Sequence, residues 1–319
     1  MIQLRSSLFA AAACLFLGLV YVPLVHSEEP QVFEFGSYKD LLVLFDELGY
    51  TEAAWDEGLR EVNRVYLQTM PSRWRQKHSS EVEIKMKKEL FLRALAPLVL
   101  RSNELIMEER TQLLALLEAE KTDAPWLRTL AEKYRVVTPE DPALSAQQLD
   151  ELLNRVDLVP NSLALAQTIE ESGWGTSRFA DVGNAMFGQW AWGEDAIKPE
   201  QQRSGKGNYG IRAFDSPQDS VNGYMLNINS HPAYADLRNK RAAIRDEGRA
   251  PTGPELADTL LKYSERGQHY VYVVADEPDF VSLQHVMVML FRQEDGTLSE
   301  PMVIKHWRQD WRYEDTVMH

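Results

Sequence analysis

Pro160-Asn-Ser-Leu-Ala-Leu-Ala-Gln-Thr-Ile-Glu-Glu-Ser-Gly-Trp-Gly-Thr-Ser-Arg-Phe-Ala180 is the stretch on which the reading of this chain turns. Leu165 and Ile169 stand one helical turn apart and form an apolar stripe that holds a helix down on a core. Gln167 and Glu171, also one turn apart, share a different face. Gly173 and Gly175 end the helix, which places Glu171 in its last turn. There the helix dipole disfavours an ionised carboxylate, and burial beside Trp174 raises the pKa further. A carboxylic acid that stays protonated near neutral pH is a proton donor in waiting.

Outward from that helix the chain reads as mostly helical. Downstream, helices are predicted at 217–229, 233–246 and 253–263, and upstream at 145–155. Between residues 183 and 215 glycine is frequent and helical periodicity disappears, so this stretch reads as loops or a small β-element. Val136-Val-Thr-Pro-Glu-Asp-Pro142 is the clearest linker. Before it, residues 38–135 carry helix after helix. Leu41, Leu42, Phe45 and Leu48 recur at helical spacing until Gly49, and Thr51 opens a segment with Trp55, Leu59 and Val62. A long helix over about 82–120 is expected to kink or split at Pro97, and Trp126, Leu130 and Tyr134 mark one more.

The formal charge of −14 argues against a nucleic-acid partner, which needs a basic face. It gives no support to a polyanionic one either. Residues 1–27 differ from the rest: Arg5 precedes an apolar run from Leu8 to Val25, and Val25-His-Ser27 suits a signal-peptidase cut. An uncleaved anchor is the alternative, and this apolar segment is the only route to membrane attachment. Either way the chain is expected to be exported, to the periplasm or cell envelope. The single cysteine, Cys14, lies inside that run, so the mature chain has no disulfide, no thiolate chemistry and no Cys-ligated metal. The seven histidines show no zinc-ligand spacing. No cofactor and no metal are expected.

The motif Ala-x-x-x-Glu-Ser-Gly-Trp-Gly-x-Ser-x-Phe-Ala, followed by Gly183-Asn-Ala-Met-Phe-Gly188, resembles the glucosaminidase domain of glycoside hydrolase family 73. Further on, Ile211-Arg-Ala-Phe-Asp-Ser216 resembles a family stretch, with Ser220, Tyr224 and Tyr234 in register and with Tyr263 and Tyr270 matching a late tyrosine motif. The resemblance covers roughly residues 143–272. Upstream, Arg64-Val-Tyr-Leu-x-x-x-Pro71 and Lys88-x-x-Phe-x-x-x-Leu-x-Pro-Leu-Val-Leu-x-x-Asn-Glu104 resemble the bacterial Bax family, which carries this domain behind a helical N-terminal region.

What the resemblance implies is a mainly α protein: a lysozyme-like helical catalytic domain with a small β-lobe. The expected order is a signal or anchor over 1–27, a helical N-terminal region over 28–137, the catalytic domain over 138–290 and a tail over 291–319. The implied activity is hydrolysis of β-1,4 bonds after N-acetylglucosamine in peptidoglycan strands. Glu171 becomes the general acid, and Asn184, Phe187 and Gly188 line the cleft. Tyr263 takes a place near the N-acetyl group or anomeric centre, and Gln167, Trp174, Tyr224 and Trp190 are further substrate contacts. Trp190 and Trp192 suit stacking on pyranose faces. The family's second carboxylate sits in the β-lobe, where Glu194 and Glu200 are the only glutamates in the window. Two routes stay open: one of these acts as base, or the substrate's acetamido oxygen attacks with Tyr263 assisting. Two other readings compete: a lytic transglycosylase acting at N-acetylmuramic acid, and a non-catalytic wall-binding protein. After Tyr270, Val271-Tyr-Val-Val-Ala275 departs from the charged helix the family leads one to expect.

Overall fold

The computed structural model describes residues 31–34, 302–305 and 37–275, the last without 52, 55, 56, 58–61, 72, 141, 142, 195, 203, 204 and 206. The expected signal over 1–27 with Cys14, most of the tail over 291–319, and Trp55 and Leu59 lie outside the described residues. No described helix is long and apolar enough to cross a membrane.

The architecture is mainly α. Strand β1 (Gln31–Glu34) precedes helix α1 (Tyr38–Glu47), whose start is fixed by a capping box between Ser37 and Asp40. Strand β2 (Val65–Leu67) leads to a π-helical turn (Trp74–His78) and then to α2 (Ile84–Glu118), the longest element. Helix α3 (Pro125–Lys133) begins on proline, and α4 (Ala146–Arg155) on a second capping box, Ser145 with Gln148. Then come α5 (Asn161–Ser172) and a short α6 (Arg178–Gly183). Strands β3 (Trp190–Trp192), β4 (Ala196–Ile197) and β5 (Tyr209–Arg212) form an antiparallel sheet in the order β3-β5-β4. This is the small β-lobe. Helices α7 (Pro217–Ser230), α8 (Ala235–Asp246), α9 (Gly253–Ala257) and α10 (Gln268–Ala275) complete the helical part, and β6 (Met302–Lys305) pairs in parallel between β1 and β2.

Several expectations need correction. Pro97 does not split α2, which runs through it as one helix. Every residue from Leu90 to Leu100 is buried, and that burial outweighs a proline penalty of about 3 kcal/mol. The segment after Gly267 is helical despite its valines, because Tyr270, Val271 and Val274 meet the core. The expected helix over 253–263 is α9 followed by a 3-10 turn (Asp258–Lys262). The sheet β1-β6-β2 and the short α6 had no counterpart in the sequence reading.

One hydrophobic core runs across residue 137. Leu95, Leu98 and Val99 of α2 are fully buried against the same cluster that holds Leu163 and Leu165 of α5 and Val221 and Ile228 of α7. Polar ties reinforce it: Asn103 Nδ2 donates to the Val159 carbonyl (2.7 Å) and to Asn161 Oδ1 (2.8 Å), and its Oδ1 accepts from the Val159 N–H (3.0 Å). The start of α5 is thereby fixed to the middle of α2.

Candidate active site

The end of α5 is built by three successive left-handed residues, Gly173 (φ +56°), Trp174 (φ +59°) and Gly175 (φ +72°). Glycine takes this backbone freely, whereas a tryptophan costs about 1–2 kcal/mol. The N-terminal region holds Trp174 there. Trp74 Nε1 donates to the Trp174 carbonyl (3.2 Å), the Phe91 ring meets its indole edge-on (5.8 Å), and Lys88 Nζ lies 4.9 Å from its ring centre. The φ of +72° at Gly175 favours glycine, and a side chain there would also press on the Phe91 ring at 3.2 Å and displace the Met70 methyl at 2.6 Å. Trp174 therefore packs against the N-terminal region and is not part of the cavity wall.

Glu171, one residue before this turn's first anchor at Ser172, lines a cavity of about 700 Å³ together with Phe187, Gly188, Trp190, Trp192, Tyr234 and Tyr263. Burial pushes its pKa up to about 7, against the lowering effects of a hydrogen bond with Tyr270 and the nearby Arg266 charge; Glu170 adds a further push upward. The sequence reading placed that burial beside Trp174. The structure supplies it instead from the neighbouring tyrosines and from Gly188. A Cβ on Gly188 would stand 3.2 Å from Glu171 Oε2, and its φ of +56° also favours glycine.

Beneath the carboxyl runs a directed chain of hydrogen bonds. The Tyr224 hydroxyl donates to Gln167 Oε1 (2.6 Å), and Gln167 Nε2 donates to the Tyr270 oxygen (3.0 Å). Tyr270, already accepting, keeps its own proton for Glu171. Burial pushes the hydroxyls of Tyr224 and Tyr270 well above the ordinary tyrosine range and that of Tyr234 up to about 12, so all three stay neutral donors. Tyr263 stacks on Tyr270 (5.4 Å, 12°) and donates to the Phe187 carbonyl (3.3 Å), while Phe187 stacks on Tyr224 (3.9 Å). Gln167 and Tyr224 are fully buried and sit under the cavity floor, outside its wall.

At the rim, Trp190 and Trp192 are 39 % and 67 % exposed, with Trp190 stacked on Tyr209 (4.6 Å). Asn184 does not line the cavity. In the left-handed conformation (φ +51°), its amide donates to the carbonyls of Phe214 (3.0 Å) and Asp215 (3.2 Å), tying α6 to the loop after β5. Glu194 and Glu200 are exposed and lie outside the lining. Among the described residues the cavity's other carboxylate is Glu265, two residues after Tyr263, inside the tyrosine motif but not among the site residues expected from the sequence. Also missed were Arg135, Arg212, Arg266, Asn227 and His231. Arg266 is ion-paired with Glu170 and lies over the Tyr270 ring (5.2 Å), so Glu170 serves to hold the wall. Among the described residues no group of three or more His, Cys, Asp or Glu is arranged to hold a metal ion.

The arrangement provides a neutral acid, hydroxyl donors and exposed indole faces around one sugar-sized space. Residues 146–268 match the family described as glucosaminidase, mannosyl-glycoprotein endo-β-N-acetylglucosaminidase. The chain is similar to Protein bax of Escherichia coli (strain K12), 30 % identical over 192 residues that make up 58 % of this chain and 66 % of the relative. No solved structure matches significantly. The chain spans just under two thirds of that relative's length, and the matched residues take in α5, the β-lobe and both cavity tyrosines up to Tyr263, so the chain is similar to the Bax family and carries a family-73-like glucosaminidase domain.

Proposed function

We propose that the chain is an exported peptidoglycan hydrolase that cleaves the β-1,4 bond following N-acetylglucosamine, with Glu171 as general acid. The observation that carries this reading is a glutamic acid at a cavity wall whose pKa burial pushes up to about 7. It is a proton donor at the pH where the wall is remodelled. Trp190 and Trp192 offer faces for the sugar rings. The apolar run Leu8 to Val25 is the export signal in this reading.

As the glycosidic C1–O bond breaks, Glu171 gives its proton to the leaving oxygen. The acetamido oxygen of the same sugar attacks C1, giving a cyclic intermediate, and Tyr263 positions that group; Glu265, which also lines the cavity, is the base of the competing route in which water attacks directly. The Glu171 carboxylate left behind then takes a proton from water as water opens the ring, which restores the acid. One carboxyl group thus serves both halves of the reaction.

Turnover of purified sacculi by the wild type and by Glu171→Gln tests this. The expected result is a fall of about a thousandfold or more in kcat, with reducing N-acetylglucosamine ends in the wild-type digest by mass spectrometry. Anhydromuramic ends would assign the chain to the lytic transglycosylases. Binding without turnover in both proteins would make it a wall-binding protein.

A further inference from the structure

The catalytic cavity is basic inside an acidic protein. The chain carries a formal charge of −14, yet the lining holds Arg135, Arg212 and Arg266 against Glu171 and Glu265, and Glu171 is neutral when it can act. Arg266 is held by Glu170. Arg212 lies over the Phe214 ring (4.9 Å), and neither it nor Arg135 has a carboxylate partner among the described residues. Both are exposed. They reach the cavity from opposite origins, Arg135 from the turn after α3 and Arg212 from the end of β5.

Arg212 also lines a second chamber of about 460 Å³, which shares Gly223 and Leu226 with the first. Its far wall comes from the N-terminal region, through Ser102, Lys133 and Tyr134. There the Asn222 Oδ1 accepts from Ser102 Oγ (2.6 Å) and Gln218 Nε2 (3.2 Å), which leaves its NH2 group without a protein acceptor among the described residues. No tryptophan lines this chamber. Its wall sets Lys133 and Arg212 beside Asp215 and Asp219 and the apolar Ile106 and Leu226, a mixed lining suited to a peptide branch that carries charges of both signs, whereas the first cavity, with its two indoles, is suited to the sugar rings.

We propose that Arg135 and Arg212 bind carboxylates of the peptide stem on the sugar adjoining the cleaved bond, with the second chamber receiving the stem, so that peptide-bearing strands are cleaved in preference to bare ones. A guanidinium matches a carboxylate with two parallel hydrogen bonds, a geometry wasted on a neutral sugar hydroxyl. The surrounding negative charge disfavours a long polyanion but leaves room for a short acidic branch at a local basic pair. The inference rests on the peptidoglycan-hydrolase reading of the same site.

The test compares kcat/KM on peptide-bearing glycan strands with that on the same strands stripped of stems by an amidase, the sugar carboxylates this exposes being capped as neutral amides. In the wild type the ratio is expected to be about tenfold or more, the worth of one charge-assisted contact. In Arg135→Gly, Arg212→Gln and the double variant it falls toward one. Glycine suits the left-handed backbone at Arg135 (φ +57°), so that variant keeps the turn. Equal wild-type rates on the two substrates, or a ratio unchanged in the double variant, overturn the assignment of the stem site. Glu171→Gln separates the two readings: if it stays active, the assignment of Glu171 as the acid falls, whereas an inert Glu171→Gln alongside equal wild-type rates removes only the stem site.

Discussion

Glu171→Gln should make the protein more stable above neutral pH while abolishing its activity. Burial raises the Glu171 pKa from 4.5 to about 7 in the folded chain. A carboxyl whose folded pKa lies above its unfolded value binds more protons when folded. Between those two values the unfolded chain has already released its proton, so stability falls as pH rises through the window and stays lower above it. At about 1.4 kcal/mol for each tenfold change in proton affinity, the cost at pH 8.5 is about 3 kcal/mol. Glutamine keeps the shape and carries no charge, so the variant escapes that loss. With a urea slope of about 3 kcal/mol per molar for a chain of this size, the midpoint of Glu171→Gln should lie about 1 M above the wild type at pH 8.5. At pH 4 the two should nearly coincide. Urea titrations followed by tryptophan fluorescence at half-unit steps of pH would trace the gap opening between pH 4.5 and 7. A gap that is constant with pH, or that closes as pH rises, would refute the buried, protonated acid.

Tyr270→Phe removes a hydrogen bond that lowers the Glu171 pKa. The alkaline limb of kcat should therefore move to higher pH by about half to one unit, read from rates on labelled glycan strands; a limb that stays put or moves down would contradict the directed chain from Gln167. Gly188→Ala brings a Cβ to 3.2 Å from Glu171 Oε2 at a φ of +56°. It should cost about 1–2 kcal/mol of stability and lower kcat about tenfold or more, measured by urea unfolding and by turnover; a fully active Gly188→Ala would show that the carboxyl has room to spare.

The end of α5 was legible in the sequence because its signals are local. Helical spacing of Leu165 and Ile169, with glycines at 173 and 175, needs no knowledge of the rest of the chain. Capping boxes at Ser37 and Ser145 made other helix starts equally local. The parallel sheet was invisible for the opposite reason. Gln31 pairs with Met302, and no short-range pattern announces a partner that distant. Pro97 misled because its local penalty is real but smaller than what the buried run around it contributes. In the site, the helical spacing of Gln167 and Glu171 was correctly seen, yet only the fold reveals that Gln167 faces Tyr224 and Tyr270 below the cavity. Trp174 and Asn184 carry motif positions, but their side chains are taken up in holding turns. Arg135 lay beyond reach because it belongs to a region without chemical motifs.

That region bears on the site in two ways. Met70, Trp74 and Phe91 hold Gly173-Trp174-Gly175 in its left-handed turn, immediately after Glu171. A turn with three residues in the left-handed region is not a conformation that a free loop would keep, so the docking fixes where the acid points. Lys133, Tyr134 and Arg135 meanwhile form part of the walls of both chambers. The matched glucosaminidase segment begins only at residue 146. A chain cut there would lose the support under its acid and one side of its groove together. The division at residue 137 that the linker suggests is thus a break in the sequence pattern crossed by a shared core, and the N-terminal helices are part of the machinery that shapes the cavity.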